Sequence, residues 1–311
     1  MKRNSLCFAL AFTLTIPGSV HGQTPRDVTP LNPLISLHNQ DLPVFGVYTP
    51  RAREGVTLEE LAQETLGFTG IDYLFNGSME GSVDRGLPAF SSYVQALYAA
   101  GANASSHPLV LKTPRIADGP AQAIENISKQ LNAGASAIVF VGVESATEVR
   151  QGLAAMRFAS NGGTRPNHVG DAPRYWGLSE AEYRKKADLW PLNSEGELVN
   201  WTIVESMEGL DKVREIAAVD GIGVLFPGAG TLRRLFSSTG TDGTRVLDEG
   251  AWETAIQKVL AACKEFEVLC GYPANENDIQ ERMQQGFSVF VIGWGDRGFR
   301  TVNIGRNAAG R

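Results

Sequence analysis

Short apolar runs rich in β-branched and aromatic residues alternate along the chain with segments whose apolar residues recur every three to four positions. This alternation is typical of βα units, which build a parallel sheet with helices outside it. Most of the runs lack polar alternation, as expected for strands covered on both faces. The runs predicted as strands are residues 44–48, 71–75, 109–112, 137–143, 198–204, 223–226, 267–271 and 288–293. Eight strands in this order predict one α/β domain, a single (β/α)8 TIM barrel.

One connection is much longer than the others. The long loop at about 160–197 separates the fourth predicted strand from the fifth, and long loops inside compact domains are usually functional. Its charge-dense part, residues 179–188, is predicted to be a solvated helix. Because aromatic and basic residues precede that helix, we expect the loop to form either a lid over the site or a contact between subunits. His168 in this loop is a further site candidate.

The N-terminus carries a targeting pattern. Lys2 and Arg3 precede an apolar stretch, residues 7–16, that leads to small residues. This pattern predicts a cleaved signal peptide over residues 1–22, since the stretch is shorter than the roughly 20 apolar residues that span a bilayer. A Pro-rich segment, residues 23–43, then leads into the barrel, residues 44–311. The expected location is therefore periplasmic or secreted.

Two cysteines remain after removal of the signal peptide. Cys263 falls on the apolar stripe of a predicted helix, and Cys270 falls in an apolar strand. In an oxidising compartment they can pair, but two buried free thiols agree with the sequence equally well. The sequence leaves both states open.

The charge balance favours a small-molecule ligand. The chain has 28 Lys and Arg residues against 34 Asp and Glu residues, a net charge of −6, and no run of basic residues. Nucleic acids and anionic membranes need a clustered basic surface. Neither is expected as a partner.

Charged residues follow several of the predicted strands. In a barrel of this kind the active site lies at the carboxyl ends of the strands, so these residues are the candidates for chemistry. Glu80 follows the second strand, Lys112 ends the third, and Glu205 ends the fifth. Glu205 is the most informative, because an unpaired charge at the end of an apolar strand is costly. Glu144 and Asp296 are interpreted as ordinary residues of the polar rim.

A Gly-rich turn, residues 226–231, follows the sixth strand. The backbone amides around Gly228, Ala229 and Thr231 are candidates for binding a carboxylate or phosphate. Convergent carboxylates with one cation and an amide nest suggest a divalent cation, Mg²⁺ or Mn²⁺, together with an anionic substrate.

Several short motifs follow one another along the chain. They are Gly-Phe-x-x-Ile-Asp-Tyr at 67–73, Met-Glu-Gly at 79–81, Leu-Lys-Thr-Pro at 111–114, Leu-Asn-Ala-Gly-Ala at 131–135, Ile-Val-Glu-Ser at 203–206, Ile-Ala-Ala-Val-Asp-Gly-Ile at 216–222 and Phe-Pro-Gly-Ala-Gly-Thr-Leu at 226–232. In this order they resemble the HpcH/HpaI aldolase and citrate lyase family, over about residues 44–300. The resemblance implies a barrel of the pyruvate/phosphoenolpyruvate type, cleavage or formation of a C–C bond next to pyruvate, and a divalent metal that chelates the keto acid. It also implies a homo-oligomer.

The resemblance carries over to only one functional position unchanged. Glu205 matches the family's metal-binding Glu, whereas Thr231 stands where the family has its metal-binding Asp. Glu80 stands where the family has its basic His, and Asn132 where it has the partner Asp. Lys112 stands where it has an Arg, and it lacks the planar two-pronged donor set of that residue.

These observations predict a lyase of the aldolase type that acts on a small oxo- or hydroxycarboxylate through an enolate. In this interpretation Glu80 moves the proton, Lys112 stabilises the enolate, Glu205 holds the metal, and the turn at Gly228 binds the carboxylate. Two alternatives stay open: a non-catalytic carboxylate-binding module, and a different reaction on the same scaffold, such as hydrolysis.

Overall fold

The computed structural model describes residues 29–240 and 243–311. The predicted signal peptide and residues 23–28 of the Pro-rich segment lie outside the described residues. Neighbouring barrel strands are parallel, the eighth pairs with the first, and the fourth pairs with the fifth, so the sheet is closed. The predicted single (β/α)8 TIM barrel is confirmed. From first to eighth, the barrel strands are Val44–Tyr48, Tyr73–Asn76, Leu109–Thr113, Ala137–Phe140, Leu198–Val204, Val224–Pro227, Leu269–Pro273 and Val289–Ile292.

Helices cover the outside of the sheet. Within the described ranges, no helix is long and apolar enough to cross a membrane. The α-helices are Pro33–His38, Leu58–Gly67, Val83–Ala99, Pro120–Asn132, Ala146–Met156, Ala172–Trp176, Glu180–Lys186, Met207–Asp211, Val213–Ala217, Ala229–Leu235, Glu249–Glu265, Ile279–Gln285 and Asp296–Ala308, with a 3-10 helix at Ala159–Asn161. A short strand, Leu189–Trp190, pairs with the fifth barrel strand, and Ser237–Thr239 pairs with Arg245–Leu247 in a separate hairpin.

The fourth strand is shorter than its apolar run predicts, and the seventh is shifted by two residues along the chain. The fourth ends at Phe140, and Gly142, two residues on, adopts a left-handed φ of 57°. The seventh begins at Leu269, because Glu267 has a φ of 54° and belongs to the preceding turn. A left-handed residue cannot continue an extended strand. Hydrophobicity alone does not reveal this conformation.

Side chains fill the barrel interior and leave no channel. Tyr73, Trp201 and Phe226 are buried there with aliphatic residues of the other strands. Gly46 makes room for this layer, since a Cβ at that position would lie 2.1 Å from the Tyr73 ring. A second apolar cluster, between the sheet and the outer helices, forms the larger core.

The amino end of the barrel is closed by the helix Pro33–His38. Leu34 and Ile35 of this helix are buried in the interior cluster. The segment is fixed by Asn32, whose backbone amide donates to Glu197 Oε2 at 2.9 Å and whose side-chain amide donates to the Glu197 carbonyl at 3.2 Å. Among the described residues, this helix therefore covers the amino end of the packed interior.

The insertion between the fourth and fifth strands also lies at the amino end. The Trp176 indole donates to the Gly134 carbonyl at 3.1 Å, just before the fourth strand begins. Tyr175 donates to the His107 carbonyl at 2.8 Å, just before the third. The solvated helix predicted within this segment is observed as Glu180–Lys186. A lid over the site is wrong for this segment, because a connection from a helix back to a strand lies at the end opposite the active site. The expected subunit contact and homo-oligomer stay predictions.

Cys263 and Cys270 form a disulfide. It joins the last turn of the helix Glu249–Glu265 to the seventh strand, and both residues are buried. The pairing therefore cross-links two consecutive βα units, from within the outer core.

We expect the double substitution Cys263→Ser, Cys270→Ser to lower the free energy of unfolding by about 2–3 kcal/mol, because the bridge restricts a short loop in the unfolded chain. Chemical denaturation of the disulfide-bonded wild type and of the variant measures the difference. The wild type with reductant serves as the second reference. Equal midpoints for all three samples would show that the bridge contributes nothing.

Candidate active site

The alternation of side chains along a strand places two of the predicted residues at the mouth of the barrel. Val110 of the third strand and Ile203 of the fifth pack in the interior. Lys112 and Glu205 lie two positions further along these strands, so both side chains point into the carboxyl end, above the packed interior. The sequence prediction for these two positions therefore agrees with the geometry.

The structure brings Lys112 and Glu80 together. Lys112 Nζ lies 2.9 Å from Glu80 Oε2, and the side chains are 16% and 45% exposed respectively. The pair lines a cavity of about 940 Å³ at the carboxyl end. This is the polar pair best placed to meet a small ligand. The cavity is lined by Tyr48, Thr49, Pro50, Arg51, Ala52, Arg53, Asn76, Gly77, Ser78, Glu80, Lys112, Gly293 and Trp294.

A tight turn after the second strand positions Glu80. Asn76 organises it, since its side-chain oxygen accepts from both the amide and the hydroxyl of Ser78, at 2.9 and 2.7 Å. The Glu80 amide then donates to the Gly77 carbonyl at 3.2 Å. Asparagine at the start of such a turn uses its short side chain to satisfy local backbone donors. The carboxylate is thus held by a turn, while Lys112 extends from a strand.

Tyr48 is a cavity residue that the sequence prediction missed. It lies two positions after Gly46, which faces the interior, so its ring points into the mouth. Burial raises the pKa of the Tyr48 phenol, Lys112 opposes the shift and Glu80 adds to it. The sequence analysis assigned Tyr48 to a strand and not to the site, because an aromatic residue in an apolar run usually packs in the core. Its place at the very end of a strand was the available signal.

Glu205 lies in a second cluster at the same end of the barrel. Its Oε1 accepts from the Gly142 amide at 3.0 Å. A Cβ at Gly228 would lie 2.4 Å from the Glu205 Cβ and 2.6 Å from its Oε2, so the two residues are in close contact. Glu205 therefore ties together the ends of the fourth, fifth and sixth strands. It is not among the residues that line the cavity of Lys112 and Glu80.

The donors around Glu205 do not fit a divalent ion held by the protein. The Thr231 hydroxyl, in the place of the second ligand, accepts from Arg234 Nη2 at 3.0 Å. Mg²⁺ prefers carboxylate oxygens, and a neutral hydroxyl beside a guanidinium is a poor substitute. Over residues 29–240 and 243–311, no three His, Cys, Asp or Glu side chains are grouped as potential ligands. The metal predicted at Glu205 thus lacks its second carboxylate.

The Gly-rich turn is less open than its sequence suggests. The Gly228 amide donates to the Val204 carbonyl at 2.9 Å and continues the ladder between the strands. Only Ala229 and the residues after it in the short helix Ala229–Leu235 contribute first-turn amides. Gly228 therefore contributes close packing against Glu205 and not a free donor.

Two other candidates lie at the amino end. Asn132, at the end of the helix Pro120–Asn132, accepts from Arg165 Nη2 at 3.0 Å, and its side-chain nitrogen lies 3.2 Å from His168 Nδ1. Within one chain, neither residue joins the pair of Lys112 and Glu80. His168 therefore lies away from this cavity within one chain, and its candidacy for a site stays a prediction.

The two rim carboxylates stay outside the cavity. Glu144 pairs with Arg115 at 3.0 Å, and Asp296 begins the helix Asp296–Ala308. Neither lines the cavity of Lys112 and Glu80. Their interpretation as ordinary polar residues agrees with these positions.

Comparison with known proteins defines the class of this barrel. The HpcH/HpaI aldolase/citrate lyase family matches residues 88–300, more than half of the chain, so the chain belongs to this family. A hydroxypyruvate/pyruvate aldolase of Paraburkholderia phytofirmans is 26% identical over 201 residues, which cover 65% of this chain and 69% of the relative. Family membership places the chain among the aldolase-type lyases.

Solved structures share the fold. A family protein from Burkholderia cenocepacia superposes with a TM-score of 0.64 at 22% identity and covers 88% of this chain and 96% of its own. The CitE protein of Mycobacterium tuberculosis, in complex with magnesium, acetoacetate and coenzyme A, has a TM-score of 0.51 at 15% identity. The alignment covers 86% of this chain and 81% of CitE. The family resemblance stated from the motifs is confirmed.

We expect Gly228→Ala to lower the free energy of unfolding by about 1–3 kcal/mol, because the new methyl group overlaps the Glu205 side chain. Thermal or chemical denaturation measures the loss. Gly230→Ala is the matched control, since a Cβ there meets nothing within 4 Å. An equal effect of both substitutions would contradict the close contact between Gly228 and Glu205.

Proposed function

We propose that this protein is a carbon–carbon lyase that acts on a small oxo- or hydroxycarboxylate in the cavity of Lys112 and Glu80. The observation that carries the proposal is the 2.9 Å pair of an ammonium and a carboxylate within that cavity. Family membership supports the class of reaction. The name of the Paraburkholderia relative supports a pyruvate-type substrate.

The chemistry needs one cation and one proton carrier. Cleavage of a 4-hydroxy-2-oxo acid breaks the C3–C4 bond and leaves the electron pair on pyruvate as an enolate. A positioned cation stabilises that charge as it develops. Lys112 is placed for this task, and Glu80 is placed to accept the proton of the C4 hydroxyl and return it to C3. The products are pyruvate and an aldehyde, with no change of oxidation state overall.

The mouth of the cavity suits an anion. Arg51 and Arg53, on the loop after the first strand, line it together with Lys112. Arg53 is paired with Glu64, whereas Arg51 has no acidic partner in the part of the chain that the structure describes. A carboxylate substrate is thus met by local positive charge, although the whole chain has a net charge of −6.

We also propose that the protein is exported, to the periplasm or beyond. The apolar stretch after Lys2 and Arg3 supports this, because it is typical of a cleaved signal. The bond between Cys263 and Cys270 supports it independently, since disulfides persist in oxidising compartments. Both observations point in the same direction.

A non-catalytic carboxylate-binding module is the second candidate. It is favoured by the changes at Glu80, Lys112, Asn132 and Thr231, each of which replaces a residue type that the family's chemistry uses. Binding without turnover is its signature. Isothermal titration with pyruvate, alongside an assay of turnover, separates it from the lyase.

We expect Glu80→Gln to lower the rate of methyl-proton exchange of pyruvate in deuterium oxide about 10²–10⁴-fold, because the amide cannot accept a proton. Proton NMR of the pyruvate methyl signal measures the rate. Glu144→Gln is the matched control, since that carboxylate pairs with Arg115 outside the cavity. Unchanged exchange in Glu80→Gln would exclude Glu80 as the proton carrier.

We expect Lys112→Met to reduce the same exchange by a similar factor, because the substitution keeps the length of the side chain and removes its charge. Isothermal titration calorimetry with pyruvate shows whether the variant has also lost its affinity for pyruvate. If the wild type exchanges no protons under any condition yet binds pyruvate, the lyase proposal fails and the binding module stands.

A further inference from the structure

Family members that need a metal use it to stabilise negative charge on the substrate oxygen, yet the donors at Glu205 and Thr231 do not fit such an ion. Some other electrophile is required if an enolate forms in this cavity. Lys112 is one component, but a single ammonium already shared with Glu80 provides limited stabilisation. The remaining donors of the cavity therefore decide how this chain replaces the metal.

Tyr48 lies beside Lys112. A Cβ at Gly77 would lie 3.6 Å from Lys112 Cδ and 3.9 Å from Tyr48 Cε1, so both side chains border the same small residue. Lys112 and Glu80 both act electrostatically on the Tyr48 phenol. The ammonium, the carboxylate and the phenol thus form one group at the cavity wall.

The Tyr48 hydroxyl is free to bind a ligand. Within residues 29–240 and 243–311 it has no hydrogen-bond partner. Four buried tyrosines, by contrast, have hydroxyls that are hydrogen-bonded to protein groups: Tyr73 to the Phe290 carbonyl, Tyr93 to the Thr65 hydroxyl, Tyr175 to the His107 carbonyl and Tyr183 to the Leu131 carbonyl. Tyr48 is 41% exposed and lines the cavity, so its hydroxyl is able to donate a hydrogen bond to a ligand.

The ring of Tyr48 is held in place although its hydroxyl is free. It packs edge-to-face against Phe75, with the ring centroids 5.0 Å apart. Phe75 is itself buried in the barrel interior. A donor fixed in this way needs little reorganisation when charge develops on the substrate, which is the condition for strong stabilisation.

We propose that Tyr48 and Lys112 together form the oxyanion site of this enzyme and stabilise the enolate oxygen without a metal held by the protein. The inference rests on the proposed lyase function. As the C3–C4 bond breaks, its electron pair moves to the 2-oxo oxygen, and that oxygen accepts hydrogen bonds from the phenol and the ammonium. Glu80 carries the proton from the C4 hydroxyl to C3, and Tyr48 keeps its own proton throughout.

The electrostatics agree with a neutral donor. Burial, reinforced by Glu80, raises the pKa of Tyr48 above its ordinary value despite the opposing effect of Lys112. The phenol therefore stays protonated through neutral pH and is able to donate. A phenolate at this position would repel the enolate.

The substitution Tyr48→Phe tests the proposal, because it removes only the hydroxyl. We expect pyruvate methyl exchange to fall about 10²–10³-fold, the loss typical for removal of one oxyanion donor. The KM for pyruvate should change by less than about threefold, since a transition-state interaction affects kcat. Tyr98→Phe is the matched control: Tyr98 is 38% exposed and lies outside the cavity. All samples are treated with a chelator and verified as metal-free.

Oxalate, an analogue of the pyruvate enolate, gives a readout that does not depend on turnover. We expect metal-free wild type to bind oxalate and Tyr48→Phe to bind it at least about tenfold more weakly, as measured by calorimetry. Equal oxalate affinity in both proteins would overturn the proposal even if no exchange were detected. Exchange that disappears with chelator and returns with Mg²⁺ would overturn it too, while leaving the lyase function intact.

Discussion

The parallel pairing of the fourth strand with the fifth is the constraint on which the site depends. These strands are separated by the long insertion, yet Ala137–Phe140 and Leu198–Val204 lie side by side and close the sheet. Closure of an all-parallel sheet forces the carboxyl ends of all eight strands into one ring. Glu205 reaches the Gly142 amide, sixty-three positions earlier in the chain, only because these two strands pair. Lys112 and Glu80 meet in the same ring because the second and third strands also pair.

The sequence predicted the architecture well because the barrel is encoded locally and repeatedly. Each apolar run and each amphipathic segment signals its own element, and eight repeats leave little ambiguity about the class. The ends of the strands were less predictable. Gly142 and Glu267 adopt left-handed conformations that depend on the surrounding turns, and Gly142 is fixed by a carboxylate sixty-three residues away. Hydrophobicity carries no information of that kind.

The site was predicted in part. Strand ends identified Lys112 and Glu205, since a charged residue that ends an apolar run is visible in the sequence, and the motif after the second strand identified Glu80. The sequence does not show which of these residues lie near one another. Glu205 contacts Gly142 and Gly228, whereas Lys112 lines the cavity with Glu80, and no sequence pattern distinguishes the two surroundings. Tyr48 was overlooked because an aromatic residue in a strand usually packs in the core. Tyr48 lines the cavity because it ends the first strand, two residues after Gly46.

The closed amino end of the barrel has a consequence for how the protein is presented to its surroundings. The helix Pro33–His38 fills that end, and the C-terminal Arg311 binds the Pro43 carbonyl and Asp72 just before the first two strands. Both ends of the described chain therefore emerge on the face opposite the cavity. A carrier joined at Arg311 would therefore be attached on the face opposite the mouth of the cavity.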